Sequence, residues 1–260
     1  MFAPWDAWPR VTSLILVPPA FALIALGNLY GGREHTYGVF FVVAFVWIGL
    51  AHGPWTSVAV APLAIVANPK FPPNTIPELI AAAKARPGEI NYGSGGSGSV
   101  THLSFELLKS QTGIQMTHVP YKSIAPMMND ILGNQIPLGS PALASAVGNA
   151  KAGQVKILAV TSAKRSSLFP DIPTVAEAGF AGYDVSAWNG LLAPAGTPDA
   201  IVDKIYADVV RIAQTKEFAD QMKPQALEVE ILGPVQYKAF LASELDKWSK
   251  LVKSSGAKVD

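Results

Sequence analysis

The amino-acid sequence predicts an α/β fold from residue 58 onward, with largely parallel strand pairing. Short apolar stretches alternate with amphipathic helical stretches over this part of the chain. That alternation is typical of helices that connect neighbouring parallel strands. The 260 residues are enough for one large domain or two ordinary ones. No internal repeat interrupts the pattern.

Residues 1–55 differ in composition from the rest of the chain. Residues 11–30 are almost entirely apolar, and residues 36–50 form a second apolar run. A helix of about 20 such residues spans the hydrocarbon core of a bilayer. We therefore predict a hydrophobic helical hairpin that contacts the membrane through residues 11–52. A signal peptide is the alternative interpretation of the first run, although Asp6 is unsuited to a basic amino-terminal region.

The first elements of the α/β part carry recognisable start and stop signals. Residues 58–66 read as a buried strand, and residues 76–85 read as a helix. Thr75 is the predicted N-cap, with Glu78 three residues later, which is the spacing of a capping box. Pro87 lies just beyond the predicted end of this helix.

The remaining elements follow from apolar periodicity in the same way. Further strands are predicted at residues 90–92, 114–119, 136–138, 157–161, 185–193 and 227–231. Further helices are predicted at residues 100–112, 125–132, 142–151, 198–215 and 234–254.

A glycine-serine segment at residues 93–99 is the most informative local feature. It follows a predicted strand and precedes a predicted helix, so a ligand can approach the backbone and the helix N-terminus favours an anion such as a carboxylate. Ser97, Ser99 and Thr101 offer hydroxyl donors, and His102 lies in the first turn. A flexible turn with Ser99 as a simple N-cap remains open as an alternative.

The same segment satisfies the dinucleotide-binding pattern of three glycines, at Gly93, Gly95 and Gly98. That kind of site also needs an acidic residue about 20 positions later, at the end of the next strand, to bind the ribose. His118 and Val119 occupy that position. The pattern therefore argues against a nucleotide site.

The sequence contains no constellation of catalytic residues. The four histidines are scattered, without the spacing of a zinc protease, and no nucleophile elbow is present. The absence of cysteine excludes disulfides, thiolate catalysis and sulfur-bound zinc. A net charge of +1 argues against a nucleic-acid partner. We therefore expect no enzyme activity, no cofactor and no metal.

Five motifs occur in an order and spacing that resemble one receptor family. They are ELI with AKARPG at 78–88, GSGGSGSVTHL at 93–103, HVPYK at 118–122, LAVT with PTVAEAG at 158–179, and WNG with APAGTP at 188–198. Together they resemble the substrate-binding proteins of tripartite tricarboxylate transporters, the Bug-type receptors. The resemblance covers about residues 58–260.

This resemblance implies a type II periplasmic-binding-protein fold, in which two α/β lobes close on a small carboxylated solute. It implies a partial first lobe from residues 56–90 and 186–260, and a second, ligand-binding lobe from residues 91–185. By analogy, the ligand contacts are Ser94, Gly95, Gly96, Ser97, Gly98, Ser99, Thr101, His102, Tyr121, Lys122, Ser140 and Pro141.

The chain departs from the family pattern in three places. Family members carry further residues before the strand matched by residues 58–66, including a glycine-rich loop on the opposite side of the carboxylate site, and the apolar segment stands there instead. Ser123 and Asn134 replace two family glycines, and residues 136–138 replace a usually acidic strand. We therefore expect an incomplete first lobe.

The expected function is a periplasmic, membrane-anchored receptor for a small carboxylate that feeds the membrane components of a tripartite tricarboxylate-type transporter. We expect it to be truncated or fused, with impaired binding. The alternative is a membrane-tethered structural or interaction module that binds no solute, and a nucleotide-dependent enzyme is a third hypothesis.

Overall fold

A computed structural model describes residues 56–194 and 196–257. The predicted hydrophobic hairpin over residues 1–55, with its membrane contact through residues 11–52, lies outside the described residues. Within the described part, no helix is both long enough and apolar enough to cross a membrane.

Seven strands and seven α-helices make up the described ranges. The strands are β1 Thr56–Pro62, β2 Ala64–Ala67, β3 Asn91–Ser94, β4 Thr117–Pro120, β5 Leu138–Gly139, β6 Lys156–Val160 and β7 Ser186–Leu191. The helices are α1 Ile76–Ala85, α2 Val100–Thr112, α3 Ile124–Leu132, α4 Leu143–Lys151, α5 Asp199–Ala213, α6 Lys216–Met222 and α7 Pro234–Ser255.

Five strands form a mixed sheet in the order β4-β3-β5-β2-β6. Strand β3 pairs in parallel with both β4 and β5, as the alternation of strands and helices predicts. Strand β2 is antiparallel to both of its neighbours, β5 and β6. The prediction of an α/β fold is confirmed, whereas the pairing is mixed rather than uniformly parallel.

The strand predicted over residues 58–66 is interrupted at Leu63. Before this residue, β1 pairs antiparallel with β7 in a separate two-stranded sheet. After it, the Ala64 N–H donates to the Pro141 carbonyl at 2.9 Å and the chain enters the five-stranded sheet. Pro62 has no N–H to continue the first ladder. Apolar character alone does not reveal this crossing, because both halves of the segment are apolar.

The crossing between the two sheets is tied down by Thr161. Its hydroxyl donates to the Val185 carbonyl at 2.6 Å and lies 3.3 Å from the Leu63 carbonyl oxygen. Its backbone N–H donates to Leu63 and its carbonyl accepts from Val185. The chain passes between the two sheets at Leu63 and near Val185, and both of these residues are therefore hydrogen-bonded to the buried Thr161.

Helix α1 packs on the five-stranded sheet. Ile76 and Leu79 belong to the same buried cluster as Tyr92 and Phe105, and β2 lies inside that sheet. The sequence prediction grouped both elements with the first lobe, and that division into lobes stays a prediction. The amphipathic pattern of α1 shows that one face is buried, but not which sheet it covers, since that depends on long-range contacts.

The five-stranded sheet is covered on both faces. Ile65 of β2 belongs to one buried cluster, with residues of α1 and α2, whereas Val66 belongs to a second, with residues of α3 and α4. Adjacent residues of a strand point to opposite faces. All four residues of β2 are fully buried, which explains why this strand is a continuous apolar run.

The two-stranded sheet packs against α7 through aromatic side chains. The ring of Trp188 meets Tyr237 and Phe240 edge-on, with centroids 5.9 and 5.4 Å apart. A β-carbon at Gly190 would overlap the Tyr237 hydroxyl and lie 2.6 Å from its Cζ atom. Tyr237 is fully buried, so the ring has little room to move away.

We predict that Gly190→Ala destabilises the fold by about 1–3 kcal/mol, because the added methyl group overpacks a buried ring. Gly148→Ala is the matched control: it lies inside α4 with open space around it, and it should stabilise by about 0.5–1 kcal/mol. Urea unfolding measures both changes. Equal stability of Gly190→Ala and the wild type would contradict the packing described for β7.

Candidate functional site

The carboxyl ends of three parallel strands meet at one edge of the five-stranded sheet. Gly93 of β3 pairs with Val119 of β4 and with Gly139 of β5, so the segments that follow these strands begin side by side. Those segments include residues 94–99, Tyr121 with Lys122, and Ser140 with Pro141. The structure brings together the three segments in which we predicted ligand contacts.

Two glycines shape the loop of residues 94–99, which is called the glycine-serine loop below. Gly96 has a φ of +136° and Gly98 a φ of +72°, values that residues with a β-carbon rarely adopt. A β-carbon at Gly96 would meet the Tyr121 carbonyl oxygen only at 3.6 Å. Backbone conformation, rather than crowding, therefore calls for glycine at this position.

Hydroxyl groups hold the loop against the first turn of α2. Ser99 is the N-cap: its Oγ accepts from the His102 N–H at 3.3 Å and donates to the Gly96 carbonyl at 2.7 Å. Thr101 Oγ1 accepts from the Gly95 N–H at 2.9 Å. We predicted Ser99 and Thr101 as ligand donors, and in the structure both hydroxyls already have partners within the loop.

The loop lies on two stacked imidazole rings. The rings of His102 and His118 are parallel to within 4°, with centroids 3.7 Å apart. His102 Nδ1 accepts from the Gly98 N–H at 3.0 Å, and His118 Nε2 lies 2.6 Å from Ser94 Oγ. Tyr92 stacks on His118 with centroids 5.1 Å apart. The two histidines therefore contact both ends of the loop.

A buried carboxylate completes this cluster. Glu106 is only 7% exposed and accepts from the Tyr92 hydroxyl and Lys109 Nζ, each at 2.6 Å. His102 Nε2 lies 3.5 Å from the same carboxylate oxygen. Burial alone would raise the pKa of Glu106, but hydrogen bonds from His102, Lys109 and Tyr92 outweigh it and lower that pKa to about 2. Burial and the Glu106 carboxylate raise the pKa of Tyr92.

The sequence prediction included His102 but missed the rest of this cluster. One signal was available, because Glu106 follows His102 by four residues and so lies on the same helix face. A second signal required the strand register, in which Tyr92 of β3 pairs with His118 of β4. That register is a long-range property which residue spacing does not supply.

Tyr121 joins the loop to α3. Its N–H donates to the Ser94 carbonyl at 3.1 Å, and its hydroxyl donates to Asp130 Oδ2 at 2.7 Å. Burial, followed by the hydrogen bond to Asp130, raises the pKa of Tyr121 to about 12. Lys122 is exposed beside it. It is the cationic residue in the three segments that meet at this edge of the sheet.

Ser140 is fully buried at the end of β5. Its hydroxyl has no hydrogen-bond partner among the described residues, which is unusual for a buried polar group. The next residue, Pro141, contributes its carbonyl to the pairing with Ala64. Ser97 is partly exposed within the glycine-serine loop. The Ser140 hydroxyl thus differs from those of Ser99 and Thr101, which have partners in the loop and in the first turn of α2.

A concave region lies between the two-stranded sheet and α7, away from the glycine-serine loop. It is a cavity of about 400 Å³ whose lining includes Val60, Trp188, Phe240, Lys164, Glu228 and Lys247. None of the predicted ligand contacts lines it. Across residues 56–194 and 196–257, no group of three or more histidine, aspartate or glutamate side chains could hold a metal ion.

One family model and several known proteins are similar in sequence to this chain. The family model described as "Tripartite tricarboxylate transporter family receptor" matches residues 53–257. Protein BugT of Bordetella pertussis is 32% identical over 206 residues, which are 79% of this chain and 63% of that protein. The chain thus spans less than two thirds of the length of this relative.

Solved structures are also similar to this chain in sequence and in fold. The protein Rpa4515 of R. palustris, solved with adipate, is 32% identical with a TM-score of 0.67, over 79% of this chain and 70% of that chain. MatC (Rpa3494) from Rhodopseudomonas palustris, solved with bound malate, is 27% identical with a TM-score of 0.62, over 76% of this chain and 69% of that chain.

We predict that Glu106→Gln destabilises the fold at pH 7 by about 1.5–3 kcal/mol, the range for hydrogen bonds to charged groups. Because the pKa of Glu106 is lower in the folded state, its contribution is complete above the unfolded value and is lost as the pH falls from about 5 towards 2. Urea unfolding at pH 7, 5 and 3 should therefore show a shrinking difference from the wild type.

The control for this series is Glu89→Gln, since Glu89 is exposed. It should change the stability little at any of the three pH values. A Glu106→Gln deficit that stays constant from pH 7 to pH 3 would show that the charge of Glu106 contributes nothing to the cluster.

Proposed function

The chain belongs to the tripartite tricarboxylate transporter receptor family, and from this premise we propose that it binds a small dicarboxylate at the glycine-serine loop. The family consists of solute-binding receptors rather than enzymes, and it is periplasmic. The Rhodopseudomonas relatives were solved with adipate and malate. Both ligands are dicarboxylates.

The observation that carries the proposal is the position of the loop at the N-terminus of α2. The N–H groups of Val100 and Thr101 have no acceptor among the described residues, as expected in a first helical turn. These N–H groups and the helix dipole favour a negatively charged group. The buried Ser140 hydroxyl without a partner lies at the end of the adjacent strand.

Each predicted ligand residue has a part in this proposal. The main chain of residues 94–99 forms the surface on which a carboxylate rests. Ser97 and Ser140 offer hydroxyls, and Lys122 adds a positive charge. Ser99, Thr101, His102 and Tyr121 hold the loop in place, while Pro141 fixes the segment after β5 through its carbonyl.

We further propose that the membrane components of a tripartite transporter receive the solute. All the proposed ligand contacts lie at one edge of the five-stranded sheet. We therefore expect a weaker affinity for the solute than a site that encloses its ligand from two sides would have. Anchoring to the membrane by residues 11–52 belongs to the same proposal.

A second candidate function is an interaction module that binds no solute. Three isoleucines on one face of α5, Ile201, Ile205 and Ile212, are between 43% and 50% exposed. An apolar helix face of this kind favours contact with another protein surface. The two functions differ in their response to solute, because only a receptor is stabilised by it.

We predict that adipate or malate raises the unfolding temperature of the full chain in mild detergent. Stabilisation follows RT ln(1 + [L]/Kd), which is about 2.7 kcal/mol at a hundredfold excess over Kd. Gly96→Ala should abolish this response, because an alanine strains the loop backbone and places a methyl group on the binding surface. Thermal unfolding against a concentration series of each acid measures it.

The matched control is Gly179→Ala, since Gly179 also has a positive φ, of +105°, but follows a turn outside the site. Both variants should lose stability, while only Gly96→Ala loses the response to the acids. A cooperative unfolding transition that no dicarboxylate shifts would favour the interaction module instead.

A further inference from the structure

His102 accepts a hydrogen bond that only an unprotonated ring nitrogen can accept. Its Nδ1 atom receives the Gly98 N–H at 3.0 Å. An imidazole nitrogen that carries a proton is a donor and cannot make this contact. The ring is therefore neutral in this arrangement, with its proton on Nε2, which lies 3.5 Å from the Glu106 carboxylate.

The second ring of the stack holds the other end of the loop. His118 Nε2 lies 2.6 Å from Ser94 Oγ, and the Gly96 N–H donates to that same hydroxyl oxygen at 3.2 Å. With Gly98 bonded to His102, the stacked rings bind the loop at its start and near its end. A displacement of either ring would therefore also displace the main chain of the loop.

The charged and titratable groups that face His102 come from three elements. Glu106 and Lys109 lie on α2, Tyr92 on β3 and His118 on β4. Lys109 already balances the Glu106 carboxylate at 2.6 Å, and the Tyr92 hydroxyl occupies the same oxygen. The parallel ring of His118 at 3.7 Å would face any positive charge placed on His102.

Protonation of His102 therefore has a definite structural cost. The new proton on Nδ1 points at the Gly98 N–H, so that hydrogen bond is replaced by a contact between two donors. Protonation of both histidines would also bring two like charges together in a largely buried stack. In each case the contact that holds Gly98 is lost.

We propose that His102 is a positioning residue that holds the glycine-serine loop in its binding shape only while its ring is neutral. Acid that protonates this ring then releases the loop and lowers the affinity for a carboxylate. The part that concerns affinity rests on the proposed function, whereas the part that concerns the loop does not.

The loop is tested first, without ligand. Amide hydrogen exchange of the full chain should show that protection of Gly98, corrected for the intrinsic exchange rate, falls at least tenfold between pH 7.5 and pH 5.5. His102→Asn keeps an acceptor oxygen near the position of Nδ1 but cannot be protonated in this range. It should keep the protection at both pH values, whereas His102→Ala should lose it at both.

The affinity is tested with adipate and malate by calorimetry at the same two pH values. Protonation of the acids themselves affects wild type and variant equally, so it cancels when the two are compared. We expect the wild type to lose about tenfold more affinity than His102→Asn on acidification. Because His102→Asn is a conservative change, the test stands even if His102→Ala does not fold.

Two results would overturn the proposal. One is that the His102→Asn variant loses Gly98 protection on acidification as much as the wild type does, because the group that gains the proton would then be a different one. The other is wild-type protection that does not change between pH 7.5 and pH 5.5. If protection follows the proposal while neither acid binds at any pH, the proposed function fails and the role of His102 in the loop stands.

Discussion

The parallel register at Gly93 is the constraint on which the rest of this structure depends. Gly93 lies between Val119 and Gly139, and a β-carbon at Gly93 would come within 2.6 Å of Met127 and Ile136. The missing side chain lets α3 lie close against the sheet at this point, and the pairing of Gly93 with Val119 and Gly139 aligns the ends of β3, β4 and β5. Three loops that are distant in sequence meet because those three strands end together.

Much of the local structure follows from the sequence alone. Helix α1 begins and ends where its capping residues predict, with the Thr75 side chain accepting from the Glu78 N–H. Helix α2 begins directly after Ser99, and its bounds match the prediction. Caps and periodicity depend on neighbours within one or two turns, and for this reason they can be read from residue order.

The parts that could not be predicted depend on contacts between distant residues. The sequence indicates the glycine-serine loop, but it does not show that the Thr101 hydroxyl accepts a hydrogen bond from the Gly95 N–H in that loop. It also does not show that Tyr92 and His118 face each other across two strands, or that an apolar strand changes sheet at Leu63. Each of these follows from strand register and sheet order, which local patterns leave open.

The glycine-serine loop contains no ionisable side chain, and the geometry of His102 requires a neutral ring. Under the proposed function, the loop itself would hold an anion by oriented N–H dipoles and hydroxyls, and the only positive charge among the predicted ligand residues would come from Lys122 outside it. Dissolved salt screens the attraction between exposed charges, but it affects interactions between partly buried groups much less. If the loop binds a solute as proposed, the part of the affinity that its N–H dipoles and hydroxyls supply should depend little on ionic strength, whereas the part from the exposed Lys122 should weaken with added salt.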